Sequence, residues 1–204
     1  MGEVKHGSER KLAAAATPSH AHQLTLFSTQ VQRIDYSLAL LERQLGQPRA
    51  AFLAQPELHW SVKGLRDEHA PALAHVLTSN KALQELGLAR NQLTGAGACT
   101  IAHALHGASA LRVLWLSGNR LGDEGGAALA QALPSLGWLE RGCQLEELWL
   151  SSAALGDGAA TALAAALPQL PRLSKVDLRF NRVQVEGALS LTLTLTLSLS
   201  LSLT

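Results

Sequence analysis

Residues 111–133, LRVLWLSGNRLGDEGGAALAQAL, change period partway along. Leu111, Leu114 and Leu116 recur at every second or third place, whereas Leu121, Gly125, Leu129 and Leu133 recur at every fourth. A period near two marks a strand, whose side chains alternate between faces, and spacings of three and four mark one face of a helix. The stretch therefore reads as strand, turn and helix. Such a unit cannot bury its apolar faces alone, so it has to recur if it is to fold.

It does recur. At an offset of 28 (111 − 83), Leu83, Leu86, Leu88, Asn91, Leu93, Gly97, Ile101 and Leu105 repeat the pattern of Leu111, Leu114, Leu116, Asn119, Leu121, Gly125, Leu129 and Leu133. A third copy starts at Leu145, an offset of 34 (145 − 111), with Ala153 in the asparagine place and Ala159 in the glycine place. A fourth starts at Leu173, back at 28 (173 − 145), and carries Leu173, Val176, Leu178, Asn181, Val183, Gly187 and Leu191. One period before the first copy, Leu58, Trp60, Leu65, Leu73 and Leu77 keep the frame, while Gln55, Lys63 and His69 replace the leucine, asparagine and glycine. Terminal repeats are often atypical in this way.

The pattern L-x-x-L-x-L-x-x-N-x-L followed by G-x-x-x-L-x-x-x-L resembles the leucine-rich repeat, and its length and Ala-rich helix resemble the ribonuclease-inhibitor-like class, which includes the leucine-rich regions of NOD-like receptors. The resemblance implies an α/β solenoid: a curved arc with parallel strands on the concave face and helices on the convex face. Each letter also has a mechanical task of its own. The strand leucines and the helix leucines close one core from two sides. The asparagine amide both donates and accepts, so it can satisfy backbone groups where the strand ends. The third copy, with Ala153, lacks that bridge.

The sequence divides accordingly. Residues 1–25 are polar and aperiodic, and are expected to be disordered. Residues 26–54 are expected to form an N-terminal helical cap, since Val31, Ile34, Leu38, Leu41 and Leu45 follow helical spacing up to Gly46 and Pro48. Residues 55–191 hold about five repeats, the first degenerate and the last incomplete. Residues 192–204 belong to a Leu/Thr/Ser alternation, expected to be a low-complexity tail or an ordered cap; as a bare apolar strand it would be aggregation-prone.

Composition excludes several functions. A formal charge of +1 gives no electrostatic grip on nucleic acid or an anionic membrane. Alternating Ser and Thr rule out a membrane span in the tail. No secretory signal is visible, and MGEVKH places His6 where a myristoylation signal needs Ser or Thr. Cys99 and Cys143 read as free thiols of a reducing compartment. A cytoplasmic location is expected.

No constellation in the sequence points to catalysis. GAGACT, residues 95–100, lacks the third glycine of a dinucleotide loop, and there is no P-loop. His103 and His106 lie three apart on a helix without further ligands, so no metal is expected. Asp123, Glu124 and Asp157 stand at turn-to-helix junctions, where acidic side chains cap helices.

The informative residues are those between the strand leucines, which must point away from the core: Glu85 and Gly87, Val113 and Trp115, Glu147 and Trp149, Lys175 and Asp177. Two tryptophans directed at water in successive repeats serve no folding purpose, and Trp is enriched in binding hot spots. Glu85, Trp115, Glu147, Trp149, Lys175, Asp177 and Arg179 are therefore the expected contacts for a protein partner on the concave face, with no cofactor and no small-molecule substrate. This reading is a non-enzymatic interaction module. The alternative is a GTPase activator resembling the Ran-activating family, for which Arg90 and Arg120, beside their repeats' asparagines, are the candidate arginines.

Overall fold

The computed structural model describes residues 20–135, 144–194 and 200–202. The chain forms two compact units, 1–33 and 34–204, and the repeats lie wholly in the second. The described residues of the first unit belong to helix α1, His20–Leu45. This helix starts upstream of the expected boundary at residue 26, because nothing between Pro18 and Gly46 interrupts it. Residues 1–19 and the insertion 136–143, with Cys143, lie outside the described residues.

The second unit then alternates helix and strand. Helix α2 is Arg49–Ala54, and five strand and helix pairs follow: β1 Glu57–His59 with α3 Ala70–Ser79, β2 Glu85–Gly87 with α4 Gly95–Leu105, β3 Val113–Trp115 with α5 Gly122–Ala132, β4 Glu147–Trp149 with α6 Asp157–Ala166, and β5 Lys175–Asp177 with α7 Val185–Thr194. A sixth strand, β6, spans Ser200–Ser202. The strands form one sheet in sequence order, and every pairing is parallel. Leu58, Leu86, Leu114, Leu148 and Val176 stand opposite one another across it and are all buried. Ile101, Leu129, Leu163 and Leu191 close the same core from the helices. Helix α1 packs Leu38 and Leu41 into that core beside Phe52 and Trp60, whose rings meet edge to face at 5.0 Å.

The asparagines bridge successive turns. Asn119 donates from Nδ2 to the carbonyls of Leu88 and Leu116, and its Oδ1 accepts from the N–H of Leu93. Asn91 likewise donates to Trp60 and Leu88 and accepts from Lys63 and Leu65. Asn181 serves Leu150, Leu178, Ala153 and Leu155 in the same way. Ala153 is buried in that place and offers no amide.

The aspartates work across repeats, where the sequence reading had them capping their own helices. Asp123 lies in the first turn of α5 but accepts from Gly156 and Ala159 at the start of α6. Asp157 accepts in turn from Gln184 and Gly187 at the start of α7, and Asp67 from Thr94 before α4. The repeat glycine makes room for this: a Cβ at Gly97 would collide with the Asp67 carboxylate, and one at Gly187 would come within 2.6 Å of the Asp157 carboxylate.

The Leu/Thr/Ser alternation is ordered where it is described, and the fourth full repeat does not stop at residue 191. Helix α7 continues to Thr194, and β6 pairs with β5. A period of two contains a period of four, so alternate leucines can serve a helix: Leu191 is fully buried, while Leu189 and Leu193 are exposed. Leu191→Ala should therefore cost about 2 to 4 kcal/mol of stability through the cavity it leaves. Leu193→Ala should stay within about 0.5 kcal/mol of wild type, and chemical denaturation would separate the two. Asn119→Ala strands several buried backbone groups, and should cost roughly 2 to 3 kcal/mol in the same measurement.

Candidate functional site

The side of the sheet away from the helices carries two rows of side chains. The first positions of the strands give Glu57, Glu85, Val113, Glu147 and Lys175; the third positions give His59, Gly87, Trp115, Trp149 and Asp177. Trp115 stands directly opposite Trp149 in the strand register, which at a strand spacing of about 4.8 Å makes them neighbours. Both are half-buried, as are Glu85, Val113, Glu147 and Lys175. They are thus accessible side chains on a rigid support.

Specific contacts fix the orientation of Trp149. Its indole N–H donates to Glu147 Oε2 at 2.9 Å, and Lys175 Nζ sits 3.8 Å from the ring centroid. Trp115 instead stands opposite Gly87 in the register, and its ring lies 6.0 Å from that of His59 on the strand beyond.

Asp177 differs from the sequence expectation of an outward, accessible carboxylate. It is only 2% exposed. Arg179 forks onto it, Nε to Oδ1 at 3.0 Å and Nη2 to Oδ2 at 2.9 Å, and the Arg179 backbone N–H adds a third bond. A carboxylate enclosed this way is held chiefly by Arg179, whose side chain remains 44% exposed.

One grouping was not anticipated from the sequence. Glu57, His59 and Glu85 bring one donor atom each to within 4.8 Å of one another, with His59 Nε2 3.4 Å from Glu57 Oε2. They are the donor types that bind divalent cations, here on side chains open to solvent. The signal was the repeat register itself, since Glu57 precedes Glu85 by one 28-residue period and stands opposite it. His103 and His106 each direct Nδ1 to a backbone carbonyl of their own helix, of Cys99 and His103 respectively. Burial and the nearby Glu124 carboxylate push the Cys99 thiol pKa up, away from a reactive thiolate. Arg90 and Arg120 are exposed at unlike places of the repeat, Arg90 in a left-handed turn and Arg120 just past its asparagine, so they form no equivalent pair.

Hydrogen bonds from Arg179 hold the Asp177 carboxyl below its ordinary value of 3.8, against the opposing effect of burial. A carboxyl depressed in the folded state stabilises the fold fully above the unfolded value, and that contribution is lost as pH falls through the folded one. Urea unfolding between pH 5 and pH 3 should show stability falling with pH. Asp177→Asn should flatten part of that slope, and an unchanged slope would mean the pair contributes nothing.

No helix among the described residues is long and apolar enough to cross a membrane. The family described as Leucine Rich repeat matches residues 109–130, which span β3 and most of α5. No curated protein matches the sequence. Among solved structures, Leiomodin-1 Actin-Binding Site 2 (ABS2) is similar, with a TM-score of 0.54 and 18% identity over 69% of this chain and 79% of that one. At that identity the likeness carries the fold, not the actin. With the repeat pattern, the single parallel sheet and the family match together, the fold is an α/β leucine-rich repeat solenoid.

Proposed function

We propose that the protein is a non-enzymatic interaction module that docks a protein partner on the open face of its sheet, centred on Trp115 and Trp149. The carrying observation is the register: two large aromatic side chains, side by side and half-exposed, on strands held from behind by a leucine core. Hot spots are made of such anchors, above all Trp, Tyr and Arg on supports that lose little entropy on binding. The flanking Glu85, Glu147, Lys175 and Arg179 supply a polar rim. Asp177 serves by holding Arg179 in place. No cofactor, nucleic acid, membrane or small-molecule substrate enters this reading, and the setting that suits it is cytoplasmic. Nothing in the placement of Arg90 and Arg120 favours GTPase activation.

The test is capture of partners from a lysate by wild type and by Trp149→Ala, followed by measured affinities for whatever protein is retained. Trp115→Ala and Trp149→Ala should each cost about 2 kcal/mol or more of affinity, roughly thirtyfold. Their melting temperatures should barely move, whereas Leu116→Ala, fully buried one residue away, should lose about 2 to 5 kcal/mol of stability. The reading fails if Trp115→Ala destabilises the fold as much as Leu116→Ala, or if capture is indifferent to both tryptophans.

A further inference from the structure

The two tryptophans occupy one repeat position but have different surroundings. Trp149 is supplied from within the chain: a carboxylate takes its N–H and a lysine ammonium covers its ring. At Trp115 both of those places have changed type. Val113 stands two residues before it, where Trp149 has Glu147, and Glu147 stands on the following strand, where Trp149 has Lys175. Among the described residues no cation lies on the Trp115 ring, whose recorded ring neighbour is His59.

Glu85 and Glu147 are the strand partners of Val113 on either side. Their Cα atoms are thus about two strand spacings apart, roughly 9 to 10 Å. Between them lies an apolar floor, Val113, with the indole of Trp115 alongside. Glu147 uses one carboxylate oxygen, Oε2, on Trp149, and Oε1 has acceptor capacity to spare. The Glu85 side chain makes no hydrogen bond among the described residues; its carboxylate lies within 4.8 Å of the Glu57 and His59 side chains on the side of β1, and Arg112 acts on it through charge alone, the Arg112 side chain's own hydrogen bonds going to Glu146. The gap therefore presents two carboxylates, an apolar floor and an aromatic wall without the cation that completes the equivalent group one repeat on.

Resting on the reading of this face as a docking surface, we propose that the slot formed by Glu85, Val113, Glu147 and Trp115 receives an arginine side chain of the partner protein. The arginine stem covers Val113, its planar guanidinium stacks on the indole, and its N–H donors reach carboxylates on both sides. Lysine fits less well, because a single compact ammonium cannot fork to two carboxylates about two strands apart. Lys175 on Trp149 shows the same cation and indole chemistry satisfied within the chain.

The test titrates the full chain with N-acetyl hexa-arginine amide at low salt, read by tryptophan fluorescence and by calorimetry, with the hexa-lysine peptide as second probe. Hexa-arginine should bind more tightly than hexa-lysine. The double variant Glu85→Gln, Glu147→Gln should weaken it about tenfold or more, and Trp115→Leu should remove its advantage over hexa-lysine. Glu124→Gln, an exposed charge on the helical side, should leave binding unchanged. Circular dichroism melts establish that each variant is folded. The proposal is overturned if hexa-arginine does not bind, if Glu124→Gln weakens it as much as the double variant, or if the two peptides bind alike to wild type. A partner captured through Trp149 but indifferent to Glu85 and Glu147 would also overturn the slot, while leaving the docking face standing.

Discussion

The structure depends on one buried side-chain amide at the end of a strand. Where the parallel ladder stops, the chain must turn outward to its helix, and the turn leaves backbone N–H and C=O groups that water does not reach. Asn91, Asn119 and Asn181 meet them, each bonding to its own turn and to the turn before. An unmet buried polar group costs about 1 to 3 kcal/mol, so an amide that satisfies several at once fixes the spacing between neighbouring repeats. Strand register follows from that spacing, and the arrangement of the open face follows from register.

The irregularities of the repeat show how firmly register is held. Between the second and third full copies the offset grows from 28 to 34, yet Val113, Leu114 and Trp115 stand opposite Glu147, Leu148 and Trp149 without a slip. The extra length falls between α5 and β4. A slip of one residue would exchange inward and outward side chains and bury both tryptophans in place of leucine. Asp123 reaching forward to Gly156 and Ala159 gives a second tie across the same junction, where Ala153 supplies no amide.

Much of this was legible in the sequence, because a repeat converts sequence distance into spatial neighbourhood. The strands, the core leucines, the asparagine ladder and the adjacency of Trp115 and Trp149 all follow from aligning one copy on the next. What alignment could not show was which outward side chain turns to its neighbour. Asp177 was read as facing water because its position does; a guanidinium two residues along encloses it. The direction of the aspartate caps was hidden for a related reason: from the sequence Asp123 opens its own helix, and only stacking shows that the next helix is nearer to its carboxylate. The alternation at residues 189–194 misled through its period, since a strand signal of two also supplies every helical i, i+4 pair.

One row of residues ties the turn back to the face. Val62, Arg90, Gly118, Ser152 and Phe180 occupy the same place in five successive repeats, and all have φ between 53° and 72°. The left-handed region costs a non-glycine residue roughly 1 to 2 kcal/mol, and glycine fills this place once in five. Packing cannot explain the others, because Val62 and Phe180 are 69% and 73% exposed. The amide ladder engages every one of these turns: Asn91, Asn119 and Asn181 follow such a residue directly, and where Lys63 and Ala153 follow instead, the asparagine of the next repeat accepts from their N–H groups, Asn91 from Lys63 and Asn181 from Ala153. Strain in the turn and precision on the sheet therefore have the same source. The geometry that sets Trp115 beside Trp149 is maintained at the rim by residues held where glycine would rest more easily.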